Sequence, residues 1–250
     1  MNWAGLTLRG LTAIVRPVPR PISIVIPTLD AAHVLGATLA GMADGIARLE
    51  ERGVAVEVVV ADGGSRDGTA AEARRHGARL IEAEAGRGRQ LAAGMTAAEG
   101  AWLLVLHADT CPAVGWDEEV SAFIAVSANE GRAACFRFAL DDSAVVARLL
   151  ERLVALRCYL FALPYGDQGL LIHRSLYEAL GGFRPLPMME DVDLVRRIGR
   201  RRLAYLRTPA VTSAVRFRRA GYLPRMLRNL CCLLLFSFGV RAETVARLYG

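Results

Sequence analysis

The chain has 250 residues and a hydrophobic fraction of 53%, which is ample for the core of one α/β domain. Its net charge is +6 and all 31 basic residues are Arg, a usage that a GC-rich genome explains, although some of these Arg could still serve anionic ligands. The five Cys show neither a C-x-x-C motif nor a metal-binding spacing, which argues against a Cys-based metal site and predicts a reducing, cytoplasmic location.

Strands and helices alternate through the first half of the sequence. Apolar, β-branched runs predict four strands, with a helix in each gap between them. The strands are at residues 22–26, 54–61, 79–83 and 102–106, and the helices are at residues 31–51, 67–76 and 90–98. We expect Asp30 to cap the first helix and Gly77 to close the second. This alternation predicts a parallel, doubly wound sheet.

The second half is less regular. Its predicted helices are at residues 116–127, 143–163, 175–180 and 191–200, its strands at 133–140, 169–173 and 203–206, and its tail is helical from 223 to 250. The apolar run at residues 230–240 is much shorter than the roughly 20 residues that a membrane-spanning helix needs. We expect no signal peptide in the first 20 residues, because Arg interrupts their short apolar stretches.

Three polar motifs come directly after predicted strands. Residues 27–30 follow the first strand, residues 62–69 the second, and residues 107–110 the fourth. In open parallel sheets, ligands bind beyond the carboxyl ends of the strands. Each motif alone is compatible with a plain turn, because Gly-Gly and Asp-Gly are turn signals. Their common position at one sheet edge favours a ligand site.

His107 and Asp109 are candidates for holding a divalent cation. Hard cations prefer oxygen ligands, and one or two carboxylates often hold them together with substrate phosphate oxygens. Asp109 ends the fourth strand and could be such a ligand, although Asp at this position is also common as a helix cap. His107 points to the same side of the strand, where it could bind the metal, orient a water or simply pack.

Residues 86–89 combine Gly and Arg directly before a predicted helix. Helix N-termini attract anions, and Gly lets a ligand approach the backbone closely. Arg87 and Arg89 could therefore contact phosphate or ribose. A solvated basic loop is the alternative interpretation.

Three carboxylates, Glu190, Asp191 and Asp193, stand at the start of another predicted helix. Like-charged neighbours raise the pKa of a carboxylate and favour proton uptake, so Asp191 is a candidate general base. Acidic residues also stabilise a helix start without any catalysis, through the helix dipole and the Arg residues that follow. Asp167 and Gln168 offer groups suited to binding hydroxyls, or form a plain polar turn.

Five motifs in this order resemble family 2 glycosyltransferases with the GT-A fold, over roughly residues 21–220. The motifs are residues 23–28, residues 58–69, Gly86-Arg87-Gly88, His107-Ala108-Asp109 and Glu190-Asp191. The resemblance implies a Rossmann-like, mostly parallel sheet flanked by helices, followed by a C-terminal helical extension. We predict an N-terminal arm at residues 1–20, a glycosyltransferase catalytic domain at 21–220 and the helical extension at 221–250.

The resemblance implies an inverting, hexosyltransferase-type enzyme that moves a sugar from a nucleotide-diphosphate sugar to a hydroxyl acceptor, assisted by Mn²⁺ or Mg²⁺. Asp191 would be its general base, and no covalent sugar–enzyme intermediate would form. Asp109 would bind the metal with His107, which stands where the family has Asp. The predicted donor contacts are Pro27, Thr28, Asp62, Arg87, Gly88 and Ala108, with Asp62 at the base and Gly63 replacing a second Asp. The predicted acceptor-side residues are Asp167, Gln168 and Glu190.

A narrower resemblance concerns the His-Ala-Asp-Thr motif, Tyr165-Gly166-Asp167-Gln168-Gly169, Thr212-Ser213-Ala214 and the Arg-rich tail. Together they are similar to a subgroup described as arsenosugar-biosynthesis or radical-SAM/selenodomain-associated glycosyltransferases. We expect a cytoplasmic enzyme that does not bind nucleic acid. A peripheral contact with the inner face of the membrane and a homodimer are further candidate associations.

Two other functions are compatible with parts of the sequence. A nucleotidyltransferase on the same fold would be expected to carry a basic, Gly-rich loop after the first strand, but residues 28–32 contain no Arg. A membrane-surface binding protein with a decayed transferase site is suggested by the amphipathic residues 145–163 and the basic, apolar residues 216–240. The retention of Asp109 and Asp191 argues against such decay.

Overall fold

The computed structural model describes residues 21–249, so the predicted N-terminal arm lies outside the described residues. These residues form one eight-stranded sheet. Its strands are β1 Ile22–Thr28, β2 Val56–Asp62, β3 Arg79–Glu82, β4 Trp102–Val105, β5 Thr110–Pro112, β6 Ala133–Leu140, β7 Leu170–His173 and β8 Leu203–Thr212. The strand order is β3-β2-β1-β4-β7-β6-β8-β5.

Helices flank the sheet and complete the C-terminal part of the chain. They are α1 Ala32–Glu51, α2 Thr69–Arg75, α3 Arg87–Ala97, α4 Trp116–Ala125, α5 Val145–Phe161, α6 Arg174–Ala179, α7 Glu190–Ile198, α8 Val215–Ala220, α9 Tyr222–Ser237 and α10 Ala242–Tyr249. The predicted α/β architecture with C-terminal helices is confirmed. Within residues 21–249, no helix combines the length and the hydrophobicity needed to cross a membrane.

The sheet is mostly parallel, as predicted, but not throughout. β1 pairs in parallel with β2 and β4, β2 with β3, and β6 with β8. β7 runs antiparallel to β4 and β6, and β5 runs antiparallel to β8. The parallel, doubly wound prediction concerned the four strands β1 to β4, and it is confirmed for them. β5 and β7 are the antiparallel strands of the sheet.

Each face of the sheet has its own hydrophobic cluster. Ile24 and Ile26 of β1 belong to the cluster shared with α1 and α4, whereas Val25 belongs to the cluster shared with α3 and α7. A strand that is buried on both faces needs a continuous apolar run, which explains the sequence of β1. A third cluster joins α5 to the end of β6 and to α8 and α9.

The start of α1 is capped differently from the prediction. Asp30 adopts a positive φ of 48°, and its carboxylate accepts a hydrogen bond from Arg66 N at 2.8 Å instead of capping α1. The first amides of the helix region bond to the loop after β2: Ala31 N donates to Thr69 Oγ1 at 2.8 Å, and Ala32 N donates to Asp67 Oδ2 at 3.0 Å. This arrangement fixes the loop after β1 to the loop after β2.

Candidate active site

A cavity of about 140 Å³ lies beyond the end of β4. Its walls come from the β4–β5 loop, the turn at residues 165–167, the start of α7 and the C-terminal helices. Five of the twelve predicted site residues line it: Arg87, His107, Asp109, Asp167 and Asp191. The cavity therefore brings together two segments that are far apart in the sequence, the one around Asp109 and the one around Asp191.

Gly166 is the point at which these two segments meet. Its backbone N–H donates to Asp191 Oδ2 at 2.6 Å. A Cβ at this position would lie 2.5 Å from His107 Nε2 and 3.2 Å from Asp191 Oδ2, so only Gly fits between the two side chains. Val192 N donates to the other carboxylate oxygen of Asp191 at 2.7 Å, which fixes the orientation of that carboxylate toward the cavity.

The environment of His107 keeps its imidazole neutral. Burial, together with the positive charge of Arg87, lowers the pKa of His107 to about 4. A neutral imidazole beside the Asp109 carboxylate is a chemically suitable pair of donors for Mn²⁺ or Mg²⁺. No cluster of three or more His, Cys, Asp or Glu suited to a metal occurs in residues 21–249. The pair therefore fits a cation whose remaining ligands come from a substrate and water.

Glu190 is completely buried, and neither of its carboxylate oxygens has a hydrogen-bond partner within residues 21–249. Its ion-pair partner is Arg87, whose Nη1 lies 3.5 Å from Glu190 Oε1. Burial raises the pKa of Glu190 to about 7, while Arg87 acts in the opposite direction. Arg87, with 40% of its side chain exposed, thus links the buried Glu190 to the cavity. Contact of Glu190 with an acceptor stays a prediction.

Asp167 and Gln168 have different environments although they are adjacent. Asp167 lines the cavity, and its buried Oδ1 has no hydrogen-bond partner in the part of the chain that the structure describes. Burial raises the pKa of Asp167 to about 6. Gln168 is buried: its Nε2 donates to Phe136 O at 3.1 Å, and its Oε1 accepts from Cys158 Sγ at 3.2 Å. Gln168 therefore holds the turn in place, and its predicted contact with an acceptor is untested.

Asp62 organises the part of the predicted ligand edge that lies outside the cavity, at the ends of β1 and β2. Its carboxylate accepts four hydrogen bonds, from Thr28 Oγ1, Gly64 N, Ser65 N and Ser65 Oγ. The ends of β1 and β2 are also joined by Gln90, whose Nε2 donates to Thr28 O at 2.5 Å and to Ala61 O at 3.2 Å. Sequence reasoning missed this role of Gln90, since an isolated buried amide carries no motif.

Two predicted donor residues have clear packing roles. A Cβ on Gly88 would lie 2.4 Å from Arg184 O and 2.6 Å from Leu186 O, so Gly88 allows α3 to approach that segment closely. Ala108 O accepts a hydrogen bond from Thr38 Oγ1 of α1 at 2.7 Å. Both residues position the β4 side of the site, and their contact with a donor stays a prediction, as does that of Pro27.

The C-terminal helices form a wall of the cavity that sequence reasoning missed. Arg216, Arg225, Asn229 and Tyr249 line it. The sequence interpretation assigned the two arginines to a membrane-binding tail, but the structure places them at the cavity. The available signal was that no Asp or Glu occurs between Asp193 and Glu243, so these arginines have no local acidic partners.

Asp193 is excluded from the cavity by its own ion pairs. Arg184 Nη1 lies 2.9 Å from Asp193 Oδ1, and Arg197 Nη2 lies 2.6 Å from Asp193 Oδ2. Arg197 is one of the Arg residues that follow the acidic start of this helix. Asp191 is therefore the carboxylate of this segment that faces the cavity.

Comparison with known proteins places the fold. Residues 23–154 match the family model described as glycosyl transferase family 2. No curated protein sequence matches the chain. Among solved structures, glucosyl-3-phosphoglycerate synthase from Mycobacterium tuberculosis, in complex with Mn²⁺, UDP and glucosyl-3-phosphoglycerate, is similar with a TM-score of 0.58 and 22% identity. The match covers 86% of this chain and 79% of that one.

Two further structures show the same likeness. Mannosyl-3-phosphoglycerate synthase from Rubrobacter xylanophilus matches with a TM-score of 0.56 and 19% identity, covering 88% of this chain and 75% of that one. S. aureus TarS 1-349 in complex with UDP matches with a TM-score of 0.59 and 17% identity, covering 78% and 61% respectively. At these identities the likeness concerns the fold, and the predicted GT-A type is confirmed.

Proposed function

The chain belongs to glycosyl transferase family 2, and from that membership we propose that it is an inverting, metal-assisted hexosyltransferase. It moves a sugar from a nucleotide-diphosphate sugar to a hydroxyl acceptor. The observation that carries this proposal is the single cavity lined by both Asp109 and Asp191. A site of this kind needs a carboxylate for the diphosphate side and another for the acceptor proton.

Asp191 is the proposed general base. The acceptor oxygen attacks the anomeric carbon, the acceptor proton passes to Asp191, and the bond from the sugar to the diphosphate breaks with its electron pair on the leaving oxygen. A positioned base typically contributes about 10²–10⁴-fold to such a step. The backbone bonds from Gly166 and Val192 support this role, because they orient the carboxylate in advance.

Asp109, together with the neutral His107, would hold the Mn²⁺ or Mg²⁺ ion. When bound, the cation would neutralise charge on the donor diphosphate. The M. tuberculosis synthase, whose structure contains Mn²⁺ and UDP, and TarS with UDP support a nucleotide-sugar donor through their shared fold.

The remaining predicted residues keep their proposed roles on the two sides of the site. The donor-side residues are Pro27, Thr28, Asp62, Arg87, Gly88 and Ala108, and the acceptor-side residues are Asp167, Gln168 and Glu190. The boundaries at residues 21–220 and 221–250, and the arsenosugar or radical-SAM-associated subgroup, also stay proposals.

A thermal-shift screen tests the function, because a ligand that binds the native state raises the melting temperature by mass action. Nucleoside diphosphates and nucleotide sugars are each compared with and without Mn²⁺. We expect stabilisation by at least one nucleotide sugar that increases with Mn²⁺. Stabilisation by nucleoside triphosphates and sugar phosphates, with none by nucleotide sugars, would favour the nucleotidyltransferase alternative instead.

A peripheral membrane contact is a separate proposal, supported by two exposed apolar stripes. Leu149 and Leu153 on α5, and Leu227 and Leu230 on α9, are all exposed, and both helices pack into one cluster. Amphipathic helices bind bilayer surfaces through such faces. Wild type should float with anionic liposomes and a variant carrying both Leu153→Glu and Leu227→Glu should not. If these faces instead form a homodimer, wild type should elute as a dimer in size exclusion and the double variant as a monomer.

The five free Cys support the proposed cytoplasmic location.

A further inference from the structure

Two arginines of the C-terminal wall form no ion pair within residues 21–249, although both line the cavity: Arg216 and Arg225. Nearby arginines are paired, because Arg218 forms an ion pair with Asp142 and Arg197 with Asp193. Arg216 and Arg225 therefore bring positive charge to the cavity that no direct carboxylate contact from the described residues neutralises.

Arg225 packs against an aromatic ring. Its guanidinium carbon lies 4.9 Å from the centroid of the Phe217 ring, which is within range of a cation–π contact. Its Nε is buried and has no hydrogen-bond partner within residues 21–249. Leaving a buried donor of a charged group unpaired is costly, and a bound anion would remove that cost.

The neighbouring residues place the two arginines on the donor side of the cavity. Asp109, the proposed metal ligand, lines the same cavity as Arg216 and Arg225. The backbone N–H of Ser213, just before α8, donates to Asp109 O at 3.0 Å, so the start of the C-terminal wall is joined to the loop that carries Asp109. An anion between these groups would lie beside the metal site.

We propose that Arg216 and Arg225 bind the diphosphate of the donor opposite Asp109, so that part of diphosphate binding needs no metal ion. A guanidinium presents two parallel N–H donors that match phosphate oxygens, and this geometry is stronger than a single neutral hydrogen bond. The inference rests on the proposed function, because it assigns the cavity to a diphosphate. It also makes the C-terminal helices part of the donor site.

The test uses inorganic pyrophosphate in the presence of EDTA, a probe that requires neither the nucleoside nor a metal. Wild-type protein should be stabilised in thermal shift. A variant carrying Arg216→Gln and Arg225→Gln should bind at least about tenfold more weakly, because two charge-assisted contacts are lost. Arg219→Gln is the matched control: it removes the same charge from an exposed position of α8 outside the cavity and should bind as wild type does.

Equal stabilisation of wild type and the double variant by pyrophosphate would overturn the inference, as would a wild type that shows no stabilisation in EDTA. A second arm uses nucleoside diphosphates with Mn²⁺. If the double variant keeps wild-type affinity there but loses phosphate binding in the nucleotide-saturated protein, the arginines bind an anionic acceptor and the diphosphate assignment is wrong. If wild type binds no nucleoside diphosphate with Mn²⁺, the proposed function itself fails, whatever pyrophosphate does.

Discussion

The two sides of the site differ in how far the protein satisfies its own polar groups. At the ends of β1 and β2, the Asp62 carboxylate accepts four hydrogen bonds and the Gln90 amide donates two. At the turn of residues 165–167, the start of α7 and the C-terminal wall, several buried polar atoms have no hydrogen-bond partner among the described residues: Asp167 Oδ1, both carboxylate oxygens of Glu190 and Arg225 Nε. One side is internally complete, and the other retains unused binding capacity.

The difference distinguishes the residues that fix the local fold from the residues that a ligand would complete. Unpaired buried polar groups cost stability, so they persist where something outside the chain can complete them. The Asp62 side holds two loops in one shape before any ligand arrives. The cavity side is the part that a ligand would stabilise, and substitutions on the two sides should therefore affect different measurements.

The largest expected effect is on turnover and comes from the cavity side. Asp191→Asn should keep donor affinity and lose at least about 10²-fold in turnover at neutral pH, because the amide cannot accept the acceptor proton. The check is a side-by-side measurement of donor affinity and turnover with Asp193→Asn, whose parent carboxylate is occupied by Arg184 and Arg197. Loss of turnover in Asp193→Asn alone would show that the base is misassigned.

A second prediction concerns the metal on the same side. Asp109→Asn should weaken Mn²⁺ binding by at least about tenfold, because even residues that only orient a metal ligand contribute about 10–100-fold to metal affinity. The variant should therefore lose the gain in nucleotide affinity that Mn²⁺ provides. Calorimetric titration of a nucleoside diphosphate with and without Mn²⁺ measures this gain. Preserved metal dependence in the variant would rule out Asp109 as the ligand.

Asp62→Ala, on the side whose polar groups are satisfied by the protein itself, should lower the free energy of unfolding. The change leaves the amides of Gly64 and Ser65 and the hydroxyl of Thr28 without their acceptor, which should cost about 1–3 kcal/mol in the free energy of unfolding. It should also weaken a free nucleoside diphosphate as much as the full donor. Denaturant unfolding and nucleotide binding are compared with Asp44→Ala, at an exposed position of α1. If the variant weakens the binding of the nucleotide sugar alone, Asp62 contacts the sugar and its assignment to the base is wrong.

The smallest effect is a pH dependence due to Glu190, whose pKa is raised mainly by burial and also by the charge of Asp191, against the opposing charge of Arg87. Its pKa is about 7 in the folded protein and 4.5 ordinarily, so the folded state holds a proton that the unfolded chain has lost between these values. The free energy of unfolding should therefore fall as the pH rises from about 4.5 to about 7. Asp167, with a pKa raised to about 6, contributes in the same direction. Melting curves of Glu190→Gln should show a smaller decline than wild type, whereas exposed Glu118→Gln should not differ.

Sequence reasoning succeeded where a signal was local. The apolar run of β1, the helix that precedes β4 and the alternating pattern of β6, predicted at residues 133–140, each carry their information within a few residues. The same holds for the motif order that indicated the family and its fold. Local patterns also placed Asp191 at the start of a helix, whereas Asp109 lies in the β4–β5 loop and not at the end of the strand as expected.

The failures all involve partners that are distant in the sequence. Asp30 does not cap α1, because Asp67 and Thr69 reach that helix from another loop. β5 was missed since three residues carry no periodicity, and its pairing with β8 depends on the whole sheet. The basic wall was missed for the same reason: Arg225 could be assigned to the site only after α9 was seen to cross the cavity.

Gly166 has a consequence for engineering this protein. A Cβ at residue 166 would lie 2.5 Å from His107 Nε2 and 3.2 Å from Asp191 Oδ2, so any larger residue would displace one of these side chains. Libraries that seek a changed ligand specificity should therefore leave residue 166 unchanged. Diversity belongs instead at Met188 and Asn229, which line the same cavity.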